Sequence, residues 1–205
     1  MRKAWVIVIL LLISFPVLLA AQQGGDDPSV ETDWDYYSTD LYMAGDQSFI
    51  ISLGVALPVL FIQNGGLIDP QFTPPVGGIG SLAYNYYLNP HFYVGAELNG
   101  FFIHTIQENT MFVIPLGIRA GTQLIAGPFE FPFTLTLGMI WHRYLDWTYF
   151  GLYAKAGVAA YFRATTQWSF GLVANWGWLP QWTNDSSRNV DGNFLDLMLS
   201  ARYHF

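Results

Sequence analysis

Six charged side chains stand singly inside apolar stretches of this chain: Glu97, Arg119, Glu130, Lys155, Asp196 and Arg202. Charges of both signs in such surroundings can do one of two things. They pair internally, because an isolated buried charge is costly, or they line a narrow polar path for a solute. If the strands that carry them run level, Glu97 and Arg119 fall at about equal height on neighbours. Lys155, Asn175 and Asp196 then fall at similar heights on three consecutive strands. The expected pairs are therefore Glu97–Arg119 and Lys155–Asp196, with Asn175 and Arg202 completing a charge cluster. Other chemistry is poorly supported. His91, His104, His142 and His204 are scattered without metal-ligand spacing, and there is no cysteine to hold a metal or form a disulfide. His104 and His142 could meet Asp146, Ser186 or Ser187 in a hydrolase-like arrangement, but no spacing ties these residues together. The chain is read as no enzyme, with no metal and no cofactor. A net charge of −7 and the absence of a basic patch argue against nucleic acid.

The elements that must position these charges alternate with a period of two. From Leu195 the odd positions read Leu195, Leu197, Leu199, Ala201, Tyr203 and Phe205, against Asp196, Met198, Ser200, Arg202 and His204. That is a strand with one apolar face and one mostly polar face. Seven more segments repeat it, at about 47–60, 77–88, 92–103, 110–124, 129–142, 149–162 and 167–179. Every one of the six charges falls opposite the apolar series, and a slip of one residue would reverse that. Connections alternate between tight (89–91, 125–128, 163–166) and longer (61–76, 104–109, 143–148, 180–192). The fold expected is all-β: an eight-stranded antiparallel up-and-down transmembrane β-barrel over residues 46–205. A soluble barrel would need the reverse arrangement, with charge outside.

The apolar face also has ends. Phe92, Phe133 and Trp168 sit near one rim, with Tyr203 and Phe205. Phe102, Phe112, Trp141, Phe150, Trp176 and Trp178 sit near the other. Leu, Val, Ile and Ala occupy the middle. This is the pattern of two aromatic girdles around an aliphatic band. Pro58, Pro115 and Pro132 lie inside strands that should be paired on both sides, so a bulge or broken ladder is expected at each. Eight strands enclose a space that side chains can fill. Inward glycines either make room for large Tyr and Phe neighbours or leave a cavity.

Composition agrees. Aromatic residues make up 18% and charged residues only 11%, well below the roughly 25% charged content of soluble domains. Arg2 and Lys3 precede an apolar run from Ala4 to Ala20, which reads as a signal peptide over 1–21 rather than a membrane anchor. Residues 22–45 form an acidic lead-in, read as a solvated linker. The terminal strand, with Tyr203 and Phe205, resembles the assembly signal of bacterial outer-membrane β-barrels. The in-strand prolines and the apolar loop with Leu67, Ile68, Phe72, Pro74 and Pro75 are more similar to the OmpW type than to OmpX or OmpA. That resemblance implies residence in the cell outer membrane and contact with its lipid and with the barrel assembly machinery. It also implies a monomer that conducts small hydrophobic solutes. The alternative is a structural or surface-interaction barrel with a plugged lumen.

Overall fold

The computed structural model describes residues 42–63, 65–68, 76–104, 110–144, 147–182 and 189–205. The side chains of 104, 110 and 142–149 are outside that description. The signal-peptide expectation, and nearly all of the acidic lead-in, also lie outside it.

Nine strands follow in order: β1 (Gln47–Gln63), β2 (Gly66–Ile68), β3 (Gly77–Tyr87), β4 (Phe92–His104), β5 (Thr110–Ala126), β6 (Phe129–Tyr144), β7 (Trp147–Arg163), β8 (Trp168–Gln181) and β9 (Val190–His204). Eight of them form a closed antiparallel barrel, each paired to its neighbours in chain order, with β1 and β9 sealing the ring. Strand β2 was not expected. It folds back on the end of β1, with Phe61 opposite Ile68, inside what the sequence marks only as a long connection. The connection between β6 and β7 is shorter than expected. The hairpin continues to Tyr144↔Trp147, leaving two residues between the strands. At the opposite rim Gly127 adopts φ 58° in the two-residue turn between β5 and β6, a conformation open to glycine without a Cβ clash.

Alternation sets the two faces. Ile118, Leu135, Leu137, Met139, Leu172 and Leu199 are each more than 60% exposed on the outside. Glu97, Glu130, Lys155, Asp196 and Arg202 are all buried inside. An exterior this apolar around an interior this polar inverts the usual arrangement of a soluble barrel.

All three prolines disturb their ladders. In β1 the register against β9 shifts between Pro58 and Leu60, so Val59 is the extra residue of a bulge. The β4–β5 ladder lapses between Leu98↔Leu116 and Phe101↔Val113, beside Pro115. The β6–β7 ladder lapses between Glu130↔Tyr161 and Phe133↔Val158, beside Pro132. At Pro115 and Pro132 the opposite edge of the strand stays paired. Pro115 faces Ile140 and Pro132 faces Gln123 without a break. The bulge in β1 is held by Asn193, whose amide donates to the Leu60 carbonyl at 3.3 Å and accepts from the Trp176 indole at 3.1 Å. Weakness on the outer face of β3 is covered from the next strand: the Phe102 ring lies where a Cβ on Gly78 would fall.

Candidate functional site

The barrel interior is layered. Towards the rim of the short turns, Glu130 on β6 collects two arginines. Arg163 donates to its Oε1 from Nε at 2.7 Å and from Nη2, and Arg202 donates to its Oε2 from Nη1 at 2.8 Å. Each guanidinium also lies over a tyrosine ring, Arg202 at 3.9 Å from the Tyr161 centroid and Arg163 at 4.8 Å from that of Tyr42. The Tyr42 hydroxyl donates to Glu130 Oε2, and its ring packs 4.4 Å from Tyr87. Tyr42 precedes β1 yet is buried within the mouth of the barrel. Burial pushes its phenol well above the usual tyrosine range, so it serves as a proton donor. Beside it, His204 meets the buried Ser169 at 2.9 Å.

The middle layer is organised by Glu97. Lys155 reaches its Oε1 across the lumen from β7, and Arg119 lies 3.5 Å from Oε2. Thr136 donates to Oε2 at 3.2 Å, and Ser81 donates to Oε1 at 3.4 Å. Lys155 also reaches Asn99 Oδ1 at 3.4 Å, and Asn99 donates to the Tyr153 hydroxyl at 3.2 Å. Arg119 also reaches Thr134 at 3.2 Å, which the Tyr93 hydroxyl contacts at 2.6 Å.

Above this lies an apolar stopper. Ala56, Ile79, Phe101, Val113, Ile140, Phe194 and Met198 are buried together, with Phe61 and Leu179 packed against them. Phe194 is the pivot, 5.3 Å from both Phe61 and Phe101.

Of the expected cluster, Glu97, Arg119 and Lys155 are brought together, and the rest is arranged differently. Glu97 and Arg119 do pair. Lys155 pairs with Glu97 and not with Asp196, and Asp196 takes part in none of the ion pairs among the described residues. The error lies in assuming level strands. Arg119, Thr136 and Lys155 share one hydrogen-bonded row, whereas Asn175 and Asp196 share another with Gly157. Stagger around a closed barrel carries a row away from its sequence height. Arg202 belongs to the separate group around Glu130. Two members of that group escaped the sequence reading: Arg163, assigned to a turn, and Tyr42, assigned to a solvated linker. The single clue was that Arg163 continues the alternation of Lys155 and Tyr161.

Two inward glycines make room for rings, whereas Gly54, Gly95 and Gly138 accommodate the backbone of a neighbouring strand. A Cβ on Gly121 would fall 2.4 Å from the Tyr93 ring, and one on Gly171 would fall 2.8 Å from that of Tyr161. A cavity of about 30 Å³ remains open in the interior, lined by Glu97, Arg119, Lys155, Tyr161, Asn175 and Arg202 among others.

The aromatic residues assigned to girdles all face outward. Phe92, Phe133, Trp168 and Phe205 are exposed near one rim, and Phe102, Phe112, Trp141, Phe150, Trp176 and Trp178 near the other. Tyr203 stacks 5.9 Å from Phe205 and lies 4.9 Å from Trp168. The backbone of Phe205 exchanges two hydrogen bonds with Gln47, at 3.0 and 3.1 Å, across the β1–β9 seam. Asp146, Ser186 and Ser187 lie outside the described residues, as do the side chains of His104 and His142. His91 contacts the Gln123 carbonyl at 3.3 Å. No group of metal-binding side chains occurs among the described residues.

A protein-family model matches residues 26–203, that of an uncharacterised family from Treponema. The chain belongs to that family. Two uncharacterized proteins of Treponema pallidum (strain Nichols) are similar in sequence. One is 24% identical over 63% of this chain and 59% of its own length. The other is 32% identical over 44% of this chain and 34% of its own length. The chain therefore spans between a third and three-fifths of these relatives. Among solved structures, Neisserial surface protein A superposes with a TM-score of 0.60 at 8% identity, over 78% of this chain and 97% of its own. The outer membrane protein OprG from Pseudomonas aeruginosa superposes with a TM-score of 0.53 at 8% identity, over 80% and 97%. The likeness is one of fold, the eight-stranded barrel, and does not single out the OmpW type.

Proposed function

We propose that this family member is an outer-membrane β-barrel that works as a closed, surface-presenting scaffold and not as a channel through its lumen. The observation that carries this reading is the double closure of the interior. A salt-bridged layer around Glu97 and Glu130 lies beneath an apolar stopper centred on Phe194. The apolar exterior supports placement in lipid, since no solvent inside a bilayer satisfies exposed backbone and only a closed barrel of strands avoids that penalty. OprG is an outer membrane protein and Neisserial surface protein A a surface protein by name, which agrees with the placement. Lipid and the barrel assembly machinery are the partners this reading requires, and the protein works as a monomer without catalysis. Purified barrel reconstituted in planar bilayers should give no unitary conductance. Steady wild-type channels would refute the closed-scaffold reading.

A second reading keeps a conduit for small hydrophobic solutes, leaving through the wall. One observation favours it. The β7–β8 ladder ends at Ala154↔Trp178 although both strands continue, and Pro180 has no N–H to extend it. An engineered disulfide between Leu152→Cys and Pro180→Cys would close that wall. Uptake of a hydrophobic solute into vesicles that stops on oxidation and returns on reduction would establish the conduit.

A further inference from the structure

Among the described residues the charges inside the barrel do not balance. Buried Lys155, Arg163 and Arg202, with the partly buried Arg119, face Glu97, Glu130 and Asp196, four cations against three carboxylates. The imbalance is local. Glu130 is shared by two arginines, and Glu97 by a lysine and an arginine. Asp196, the remaining carboxylate, pairs with neither group and does not line the cavity between them. Three of the four cations, Arg119, Lys155 and Arg202, do line that cavity, and Glu97 is the one carboxylate there among the described residues. Two of them carry unspent donors: Nε of Arg119 and Nε of Arg202 are buried without a hydrogen-bond partner. Arg202 is 1% exposed at its side chain, so bulk water does not meet that need. Uncompensated charge and unpaired donors at such depth are both costly.

We propose that this cavity is a binding site for one small monovalent anion of the halide class, which acts as the missing counter-charge between the Glu97 and Glu130 groups. Size sets the ligand class. At about 30 Å³ the space suits one or two water-sized occupants and hence a single small ion. Charge sets the sign, because the lining cations outnumber the lining carboxylate. Ser52, Ser81, Thr136 and Asn175 add neutral polar groups around the space. The site is distinct from any transport path, since the stopper lies above it and the Tyr42 mouth below.

The test uses the wild-type barrel folded in detergent. Its apparent melting temperature is followed as sodium chloride replaces sodium gluconate at constant ionic strength, so that screening is held fixed. Binding to the folded state alone predicts a saturable rise with chloride and with bromide. Crystals grown in bromide should show an anomalous peak within contact distance of Arg119 and Arg202. Glu97→Gln, which removes the one lining carboxylate, should shift the bromide titration to lower concentration, and Arg119→Gln should shift it to higher concentration. Identical melting in chloride and gluconate, with a water and no anomalous peak in the cavity, would overturn the proposal. Since the wild type supplies both readouts, a variant that fails to fold does not obscure the answer. Conductance of the wild type, which bears on the scaffold reading, is measured separately.

Discussion

At the residue scale, Glu97 and Tyr42 make opposite demands. Glu97 needs cations, because its carboxylate lies in a buried layer against Lys155 and Arg119. Removing one partner of a buried pair costs about 3–5 kcal/mol, whereas replacing both is far milder. Lys155→Met should therefore destabilise the barrel by several kcal/mol, and Glu97→Gln in the same chain should recover only part of that, because Arg119 then loses its carboxylate. Asp196→Asn should couple to Lys155→Met only weakly. Urea unfolding of the wild type, the three single variants and the two double variants, in two double-mutant cycles, measures this; strong Lys155–Asp196 coupling would restore the level-strand pairing. Tyr42 needs to keep its proton. Its folded pKa is raised by burial above the unfolded value of about 10, so the folded chain retains a proton that the unfolded chain loses. Stability from this group is complete below pH ~10 and declines as pH rises beyond it. Tyr42→Phe should lower stability at pH 7 by about 1–3 kcal/mol, through the donor lost to Glu130, and should flatten the alkaline decline. An unchanged slope above pH 10 would place Tyr42 outside the mouth.

At the element scale, the prolines and the seam show what local sequence can and cannot encode. A proline in a paired strand has no donor, so Pro58, Pro115 and Pro132 each announce a lapse in a ladder, and each lapse is present. Which edge lapses depends on the partner strand, and nothing in the residues near Pro132 specifies that β5 stays paired while β7 lets go. Faces were legible for the same reason. An apolar exterior against a polar interior imposes a period of two, and Lys155 or Arg119 on the wrong face would be intolerable. Heights across the lumen were not legible, because stagger is a property of the closed ring and of no single strand. Arg163 and Tyr42 were missed because both sit where strands end and alternation gives out. Asn193 is the element-scale counterpart of these residues: it breaks the pattern of β9 in order to serve the bulge of β1. Asn193→Ala leaves the Leu60 carbonyl and the Trp176 indole without their partner. The expected cost is about 1–3 kcal/mol, with faster amide exchange confined to the β1–β9 seam; exchange spread evenly around the barrel would deny Asn193 that role.

At the scale of the whole molecule, two closures of different chemistry lie in series along one axis, and series closures respond unlike parallel ones. The stopper excludes water by apolar packing, with Phe194 wedged between Phe61 and Phe101. The layer below it excludes solutes by side chains locked to one another through Glu97. Widening either one leaves the other intact, so a current needs both to yield. Phe194→Ala alone should destabilise the barrel by about 3–5 kcal/mol, as expected for a buried ring removed from a packed cluster. It should still show no unitary conductance. Glu97→Ala with Lys155→Ala, which removes the cross-lumen strut and leaves Arg119 without its carboxylate, should likewise stay closed. Only the triple variant joins an opened upper cavity to an opened charge layer, and it should produce discrete channels in planar bilayers. Channels from Phe194→Ala alone would mean that the charge layer already conducts and that the stopper is the sole gate. Silence from a folded triple variant would place a third closure at the mouth, where Tyr42 meets Glu130 and Arg163, and truncation of Tyr42 in that background would then be the change that opens the barrel.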